Sequence, residues 1–221
     1  MINWVFGVSS EFSQAIIQTL DGDTIQFGRN KEDKEGVIKV DYHPADVKDW
    51  VEDNIANLDT PDRIIFNINT GMVQELPSPM HEKKPVAEQF QIFNKWWADN
   101  RSQMFFKTYL MDYLISYRQF NKKVCFITSQ ISADHNPEWK RLHLYKNLRA
   151  VDYELIWTLR SKDCNAFGIC PAANTRPLEW AEYIGRHIQT DTIGKQHWLY
   201  GVADTGKGLG FVKYSDWEKT L

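Results

Sequence analysis

Three stretches of the 221-residue chain hold residue types at spacings that could do chemistry. The first is Gly7-Val-Ser-Ser-Glu11-Phe-Ser13, which follows an apolar run and reads as a turn from a strand into a helix. At such a turn a glycine lets the backbone come close to a bound anion, and the free N–H groups and dipole of the following helix favour negative charge. Ser10 is placed to cap that helix, and the Ser13 hydroxyl is a candidate phosphate ligand. Glu11 either sets a carboxylate against the anion, at a cost of about 1 to 4 kcal/mol in a partly desolvated site, or turns into water as a first-turn residue that the dipole favours.

The second stretch, Phe27-Gly-Arg29-Asn, ends an apolar run with no carboxylate to bond a ribose 2′-hydroxyl, whereas Arg29 could pair with a 2′-phosphate. A surface arginine on a turn is the alternative. The third is Tyr145 with Arg149, one helical turn apart on one face. A phenol with a pKa near 10 needs a fixed cation beside it to be poised near neutrality. Arg149 has the charge and reach, but a guanidinium with a pKa above about 12 is a poor member of a proton relay. A buried structural Tyr-Arg pair would have the same spacing. The TGKGLG turn at 205–210 lacks the gap and the following serine or threonine of a phosphate loop, and His43 and His143 lack metal-ligand spacing.

Positioning these groups requires strands and helices in alternation. Apolar runs of strand length alternate with segments of helical period, the pattern of βαβ units and a parallel sheet covered on both faces. Strands are expected over Trp4–Val8, Thr24–Gly28, Gly36–Asp41, Asp62–Asn67, Lys123–Ser129 and Asn165–Cys170, with strand-like pieces in HWLYGV and GFVKY of the tail. Helices are expected over Glu11–Leu20, Pro44–Leu58, a long stretch from about 86 to 118, Leu144–Leu159 and Leu178–Ile188, with a proline-rich surface loop at 75–85. This predicts an α/β Rossmann-like doubly wound parallel sheet in three layers, as a single domain over 1–221.

A formal net charge of -3 offers no basic field for nucleic acid or an anionic membrane. No run approaches the roughly 18 apolar residues of a membrane span. The cysteines Cys125, Cys164 and Cys170 sit in or beside apolar runs without ligand spacing, so they read as small core residues of a reduced, cytoplasmic protein. Trp96-Trp97 and Phe105-Phe106 crowd the long helix, which suits core plus a subunit interface.

With the elements in order, the span from Val5 to about Thr175 resembles the short-chain dehydrogenase/reductase superfamily. The first turn is similar to its Gly-xxx-Gly-x-Gly, with Glu11 and Ser13 in place of the later glycines. Val40-Asp41 resembles the family's aspartate near adenine, and Asn67-Ile-Asn69-Thr-Gly71 its Asn-Asn-Ala-Gly. Phe93 and Asn100 have the spacing of a family aromatic and its structural asparagine. Ser129 stands where the family has its catalytic serine, and Tyr145-Lys-Asn-Leu-Arg149 resembles Tyr-xxx-Lys with arginine for lysine. Cys170-Pro171-Ala-Ala-Asn-Thr175 is similar to the segment lining the nicotinamide side.

The resemblance implies a proton donor or acceptor in Tyr145, a substrate-oxygen ligand in Ser129, a cation in Arg149 and a relay residue in Asn100. It implies a dinucleotide against Gly7, Ser9, Ser10, Phe12, Arg29, Asp41, Asn67, Asn69, Gly71, Pro171 and Thr175. With Arg29, NADP is expected over NAD. The implied activity is reduction of a carbonyl or oxidation of an alcohol on a small-molecule substrate covered by the segment Arg176–Gln189, in a homodimer or homotetramer paired through the two helices that carry Asn100 and Tyr145. The alternative is a catalytically impaired descendant that serves as a nucleotide sensor or interaction protein, motivated by Glu11, Ser13 and Arg149.

Overall fold

The computed structural model describes residues 1–29, 35–40, 46–68, 86–128, 143–171, 178–195, 197–204 and 207–213, with backbone alone at 86–90, 92–93, 95–100, 143–150 and 203–204. The strands are β1 (Ile2–Phe6), β2 (Asp23–Gly28), β3 (Val37–Lys39), β4 (Arg63–Phe66), β5 (Lys123–Ile127), β6 (Asn165–Pro171), β7 (Leu199–Asp204) and β8 (Leu209–Lys213). The helices are α1 (Glu11–Gln18), α2 (Val47–Ile55), α3 (Val86–Arg118), α4 (His143–Arg160) and α5 (Leu178–His187). One eight-stranded sheet runs in the order β3-β2-β1-β4-β5-β6-β7-β8. Every pairing is parallel except that of β8 with β7.

Alternation along the strands builds a separate core on each face. Trp4, Phe6, Ile64, Phe66, Val124 and Phe126 face one side and pack with the buried stripes of α2, α3 and α4. Val5, Ile65, Cys125, Ile127, Phe167 and Ile169 face the other and pack with Phe12, Ala15 and Ile16 of α1 and Ala181 and Ile184 of α5. The result is the expected three-layer doubly wound sheet. Strands buried on both faces are continuously apolar, which is why RIIF and KVCFI carry no polar alternation.

The first face carries a row of stacked phenylalanines. Phe27, Phe6, Phe66 and Phe126 are register partners on adjacent strands, with ring centroids 4.2, 5.1 and 5.1 Å apart. Offset rings at such spacing add about 0.5–1.5 kcal/mol per pair beyond burial. The row lies immediately below the carboxyl ends of β1, β4 and β5 and gives them a rigid floor. At the opposite, amino edge, Arg63 donates to Asp21 (2.5 Å) and Asn3 (3.2 Å), and Lys123 donates to the carbonyls of Ile188 and Thr190. Burial and the neighbouring Arg63 hold the Lys123 ammonium below the usual lysine range.

Several boundaries differ from expectation. β1 ends at Phe6 rather than Val8, because the chain turns at Gly7, whose φ is +89°. The segment expected to cover a substrate forms α5 from Leu178, and its buried face packs against α1 as part of the layer. Of the aromatic pair expected to serve core plus a subunit interface, Phe106 is fully buried in the core beside Phe6 and Trp50, and Phe105 is exposed. No helix among the described residues is long and apolar enough to cross a membrane.

Candidate functional site

The chain runs β1, β2, β3 towards one edge and then returns to place β4 on the other side of β1. In open α/β sheets ligands bind outside the carboxyl ends where the strand order reverses, which here is between β1 and β4. Gly7 ends β1 and Asn67 ends β4, so these two residues meet at the switch point. The Gly7 N–H donates to the Phe27 carbonyl and the Asn67 N–H to that of Phe6, each at 2.9 Å. A Cβ built on Gly7 would lie 2.3 Å from the Asn67 carbonyl oxygen, so the close approach admits no side chain.

From Gly7 the chain enters α1 through Ser10, the N-cap, whose Oγ accepts the Ser13 N–H at 3.2 Å. Ser13 is fully buried. Its hydroxyl donates to the Gly7 carbonyl at 2.7 Å, receives the Asn67 amide at 2.6 Å and lies 3.0 Å from the Ser10 hydroxyl. Gln14 closes the same turn from outside by donating to the Val8 carbonyl at 2.8 Å. The expectation that the Ser13 hydroxyl meets a phosphate is therefore corrected. It is consumed inside the turn, tying α1 to β1 and β4 where a third glycine would simply let them pack.

Ser9, Ser10 and Glu11 are exposed at the mouth of the turn. Of the two readings of Glu11, the structure has the one in which the carboxylate faces water. Phe12 points the other way and is buried among the α1 and α5 side chains, so only its backbone is available to a ligand. Asn67 is buried, with its side-chain amide directed at Ser13 and Ser10. Arg29 is exposed at the carboxyl end of β2. Pro171 closes β6 and is buried.

The remaining sequence-derived residues are described in part or not at all. Asn100 lies on α3, and Tyr145 and Arg149 on α4, as backbone. Ser129, Asp41, Asn69, Gly71 and Thr175 lie outside the described residues. Thr128, just before Ser129, is fully buried, and its hydroxyl finds no hydrogen-bond partner among the described residues.

Two features escaped the sequence reading. One is the Gly7–Ser13–Asn67 closure. The other is an ion pair between Lys107 of α3 and Asp152 of α4, both buried, with the Lys107 Nζ also 6.0 Å from the centre of the Phe126 ring. The available signal was a charge set on an apolar stripe: Lys107 among Phe106, Leu110, Met111 and Leu114, and Asp152 in line with Leu155, Ile156 and Leu159.

The architecture has clear counterparts among solved structures. A short-chain dehydrogenase/reductase from Vibrio parahaemolyticus superposes with a TM-score of 0.58 at 16% identity, covering 95% of this chain and 96% of that one. A short-chain dehydrogenase from Rhodopseudomonas palustris gives 0.63 at 14% identity, covering 91% and 97%. The fold is that of the short-chain dehydrogenases/reductases. A short-chain dehydrogenase from Shigella flexneri shares the fold at a TM-score of 0.59 and 15% identity, covering 85% of this chain and 83% of that one. No protein-family model and no curated protein matches the sequence. In this sheet the turn after β1 and the carboxyl ends of β4, β5 and β6 lie along one edge, where Gly7, Asn67 and Pro171 stand.

Proposed function

We propose that the chain is an NADP-dependent oxidoreductase of the short-chain type, which reduces a carbonyl or oxidises an alcohol. The observation that carries the reading is the positive-φ turn at Gly7, set at the switch point of this sheet and leading directly into a capped helix. The residues present fit a dinucleotide: Gly7 brings no side chain to the turn, Ser9 and Ser10 are exposed at the start of α1, and Arg29 is exposed at the end of β2. Ser9, Ser10 and the first-turn N–H groups would hold the pyrophosphate, and Arg29 would pair with a 2′-phosphate. Asp41, Asn69, Gly71, Pro171 and Thr175 are proposed to line the rest of the cofactor. Asn67 holds the turn that receives it.

When bound, the nicotinamide supplies or accepts a hydride. The chain's own part is to hold the substrate oxygen and move a proton. Tyr145 gives its phenolic proton to a carbonyl oxygen, or takes one from an alcohol, while Ser129 holds the same oxygen. Arg149 keeps its positive charge at every working pH and favours the phenolate, and Asn100 continues the path of the proton.

The helices α3 and α4 are proposed to pair two copies. Phe105, Tyr109, Tyr113 and Tyr117 recur every fourth residue along α3, with Phe105 45% and Tyr117 75% exposed and Tyr109 and Tyr113 half-buried, and Trp157 of α4 is 51% exposed. That much exposed aromatic surface suits a subunit contact. Sedimentation should give a dimer or tetramer, and Tyr117→Lys with Trp157→Lys should give a monomer.

The functional test is NADPH consumption with a panel of aldehydes and ketones. Turnover by the wild type, lost in Tyr145→Phe while NADPH still binds, is the expected result. Turnover that survives in Tyr145→Phe contradicts the assignment of the acid.

A further inference from the structure

The buried Lys107–Asp152 pair joins α3 and α4 along the face that packs on β4, β5 and β6. Each of these helices connects two neighbouring parallel strands, so both run against the strand direction and alongside each other. Where Lys107 meets Asp152, the two helices are therefore level. Asn100 lies seven positions before Lys107, and Tyr145 seven before Asp152. Seven residues are about 10 Å of helix and return to the same side within about 20°. The pair thus sets Asn100 and Tyr145 at one height, two turns nearer the carboxyl edge.

An apolar seam would hold these helices together without fixing their height. Below the pair the seam is apolar, with Leu110, Met111 and Leu114 against Leu155, Ile156 and Leu159. After a slip of one turn apolar side chains meet apolar side chains again, at a packing cost but with no charge stranded. A buried lysine and carboxylate differ, since a slip of one turn, about 5.4 Å, parts the two charges from each other away from water. Replacing a buried pair by apolar residues of similar size is often neutral or stabilising, so its best-attested use is to specify register. Both residues also make further contacts.

We propose that Lys107 and Asp152 are positioning residues that fix the register of α3 against α4 and so hold Asn100 level with Tyr145. The functional weight of this inference rests on the oxidoreductase reading, but its geometry does not.

The test is a cross-link that needs no cofactor. Asn100→Cys and Tyr145→Cys are introduced together and the folded protein is treated with a short bis-maleimide; Cys125, Cys164 and Cys170 are buried. With the pair intact, an intramolecular link should form readily. With Lys107→Met and Asp152→Leu added, the protein should still melt cooperatively, but linking should slow by about tenfold or more as the effective concentration of the two thiols falls. Should that variant fail to fold, Lys107→Arg is expected to keep the rate and Lys107→Gln to lose it. Equal rates with and without the pair, or no link when the pair is intact, would overturn the proposal. An NADPH titration of the wild-type protein tests the functional reading separately. Silence there with the link retained overturns the oxidoreductase and leaves the register standing.

Discussion

The Asn67 amide donates to the Ser13 hydroxyl at 2.6 Å, and that hydroxyl donates to the Gly7 carbonyl at 2.7 Å. Two hydrogen bonds thus join the ends of β1 and β4 to the first turn of α1 in a site where Ser13 and Asn67 are both buried. Removing the hydroxyl takes one partner from the buried Asn67 amide, which also reaches Ser10, and one from the Gly7 carbonyl. Ser13→Ala should therefore cost about 1–3 kcal/mol of stability in urea unfolding. An unchanged midpoint would mean that the turn holds its shape by packing alone.

Gly7 is under two constraints, a φ of +89° and the Asn67 carbonyl 2.3 Å from where a Cβ would sit. Gly36 shares the first, with a φ of +78°, but has nothing within 4 Å of the added carbon. Gly36→Ala should cost about 1 kcal/mol from backbone strain alone, and Gly7→Ala clearly more. Equal thermal-melting penalties for the two would show that strands β1 and β4 part easily.

The alternation of strands and helices was legible in the sequence because a strand buried on both faces must be apolar throughout. The stretches DRIIFN, KVCFITS and NAFGIC were therefore found within a residue or two, as was α3 in full. The inside of the turn was not legible. Whether Ser13 meets a ligand or is buried depends on how closely α1 lies on β4, which no local pattern encodes. Lys107 and Asp152 are 45 positions apart, so each reads singly as a surface charge until the helices are docked. Tyr145, Arg149 and Asn100 could be assigned to helices α4 and α3, while their chemical roles rest on the resemblance.

Glu11 illustrates how magnitude separates two readings of one residue. Exposed at the mouth of the turn, its carboxylate is screened by water and should weaken binding of a dinucleotide by only about 1 kcal/mol, within roughly fivefold in Kd. Glu11→Gln should tighten NADPH binding by no more than that, with the difference fading at high salt. A gain of about a hundredfold would put the carboxylate in a desolvated site instead.

At the amino edge, the Asp62 carboxylate accepts the Ile2 N–H at 3.0 Å and lies 3.6 Å from the Lys122 ammonium. The backbone bond first, and Lys122 after it, hold its pKa below the ordinary aspartate value. A depressed carboxylate contributes stability that is fully present above the unfolded-state pKa of about 3.9 and is lost as pH falls through the lower folded-state value. Because the side chain is 41% exposed, the contribution is a few tenths of a kcal/mol. Asp62→Asn should be slightly less stable than the wild type near neutral pH and indistinguishable from it at about pH 2. A gap that stays constant with pH would assign the effect to something other than charge.

The central claim is that the turn from Gly7 to Ser13 receives a nicotinamide dinucleotide carrying a 2′-phosphate. Titration of the wild-type protein with NADPH, followed by nucleotide fluorescence, tests it most directly, with NADH and Arg29→Ala as comparisons. The account predicts saturable binding at micromolar NADPH, weaker for NADH and weakened by Arg29→Ala by the roughly ten- to hundredfold that one charge-assisted contact is worth. No response at millimolar NADPH would contradict it.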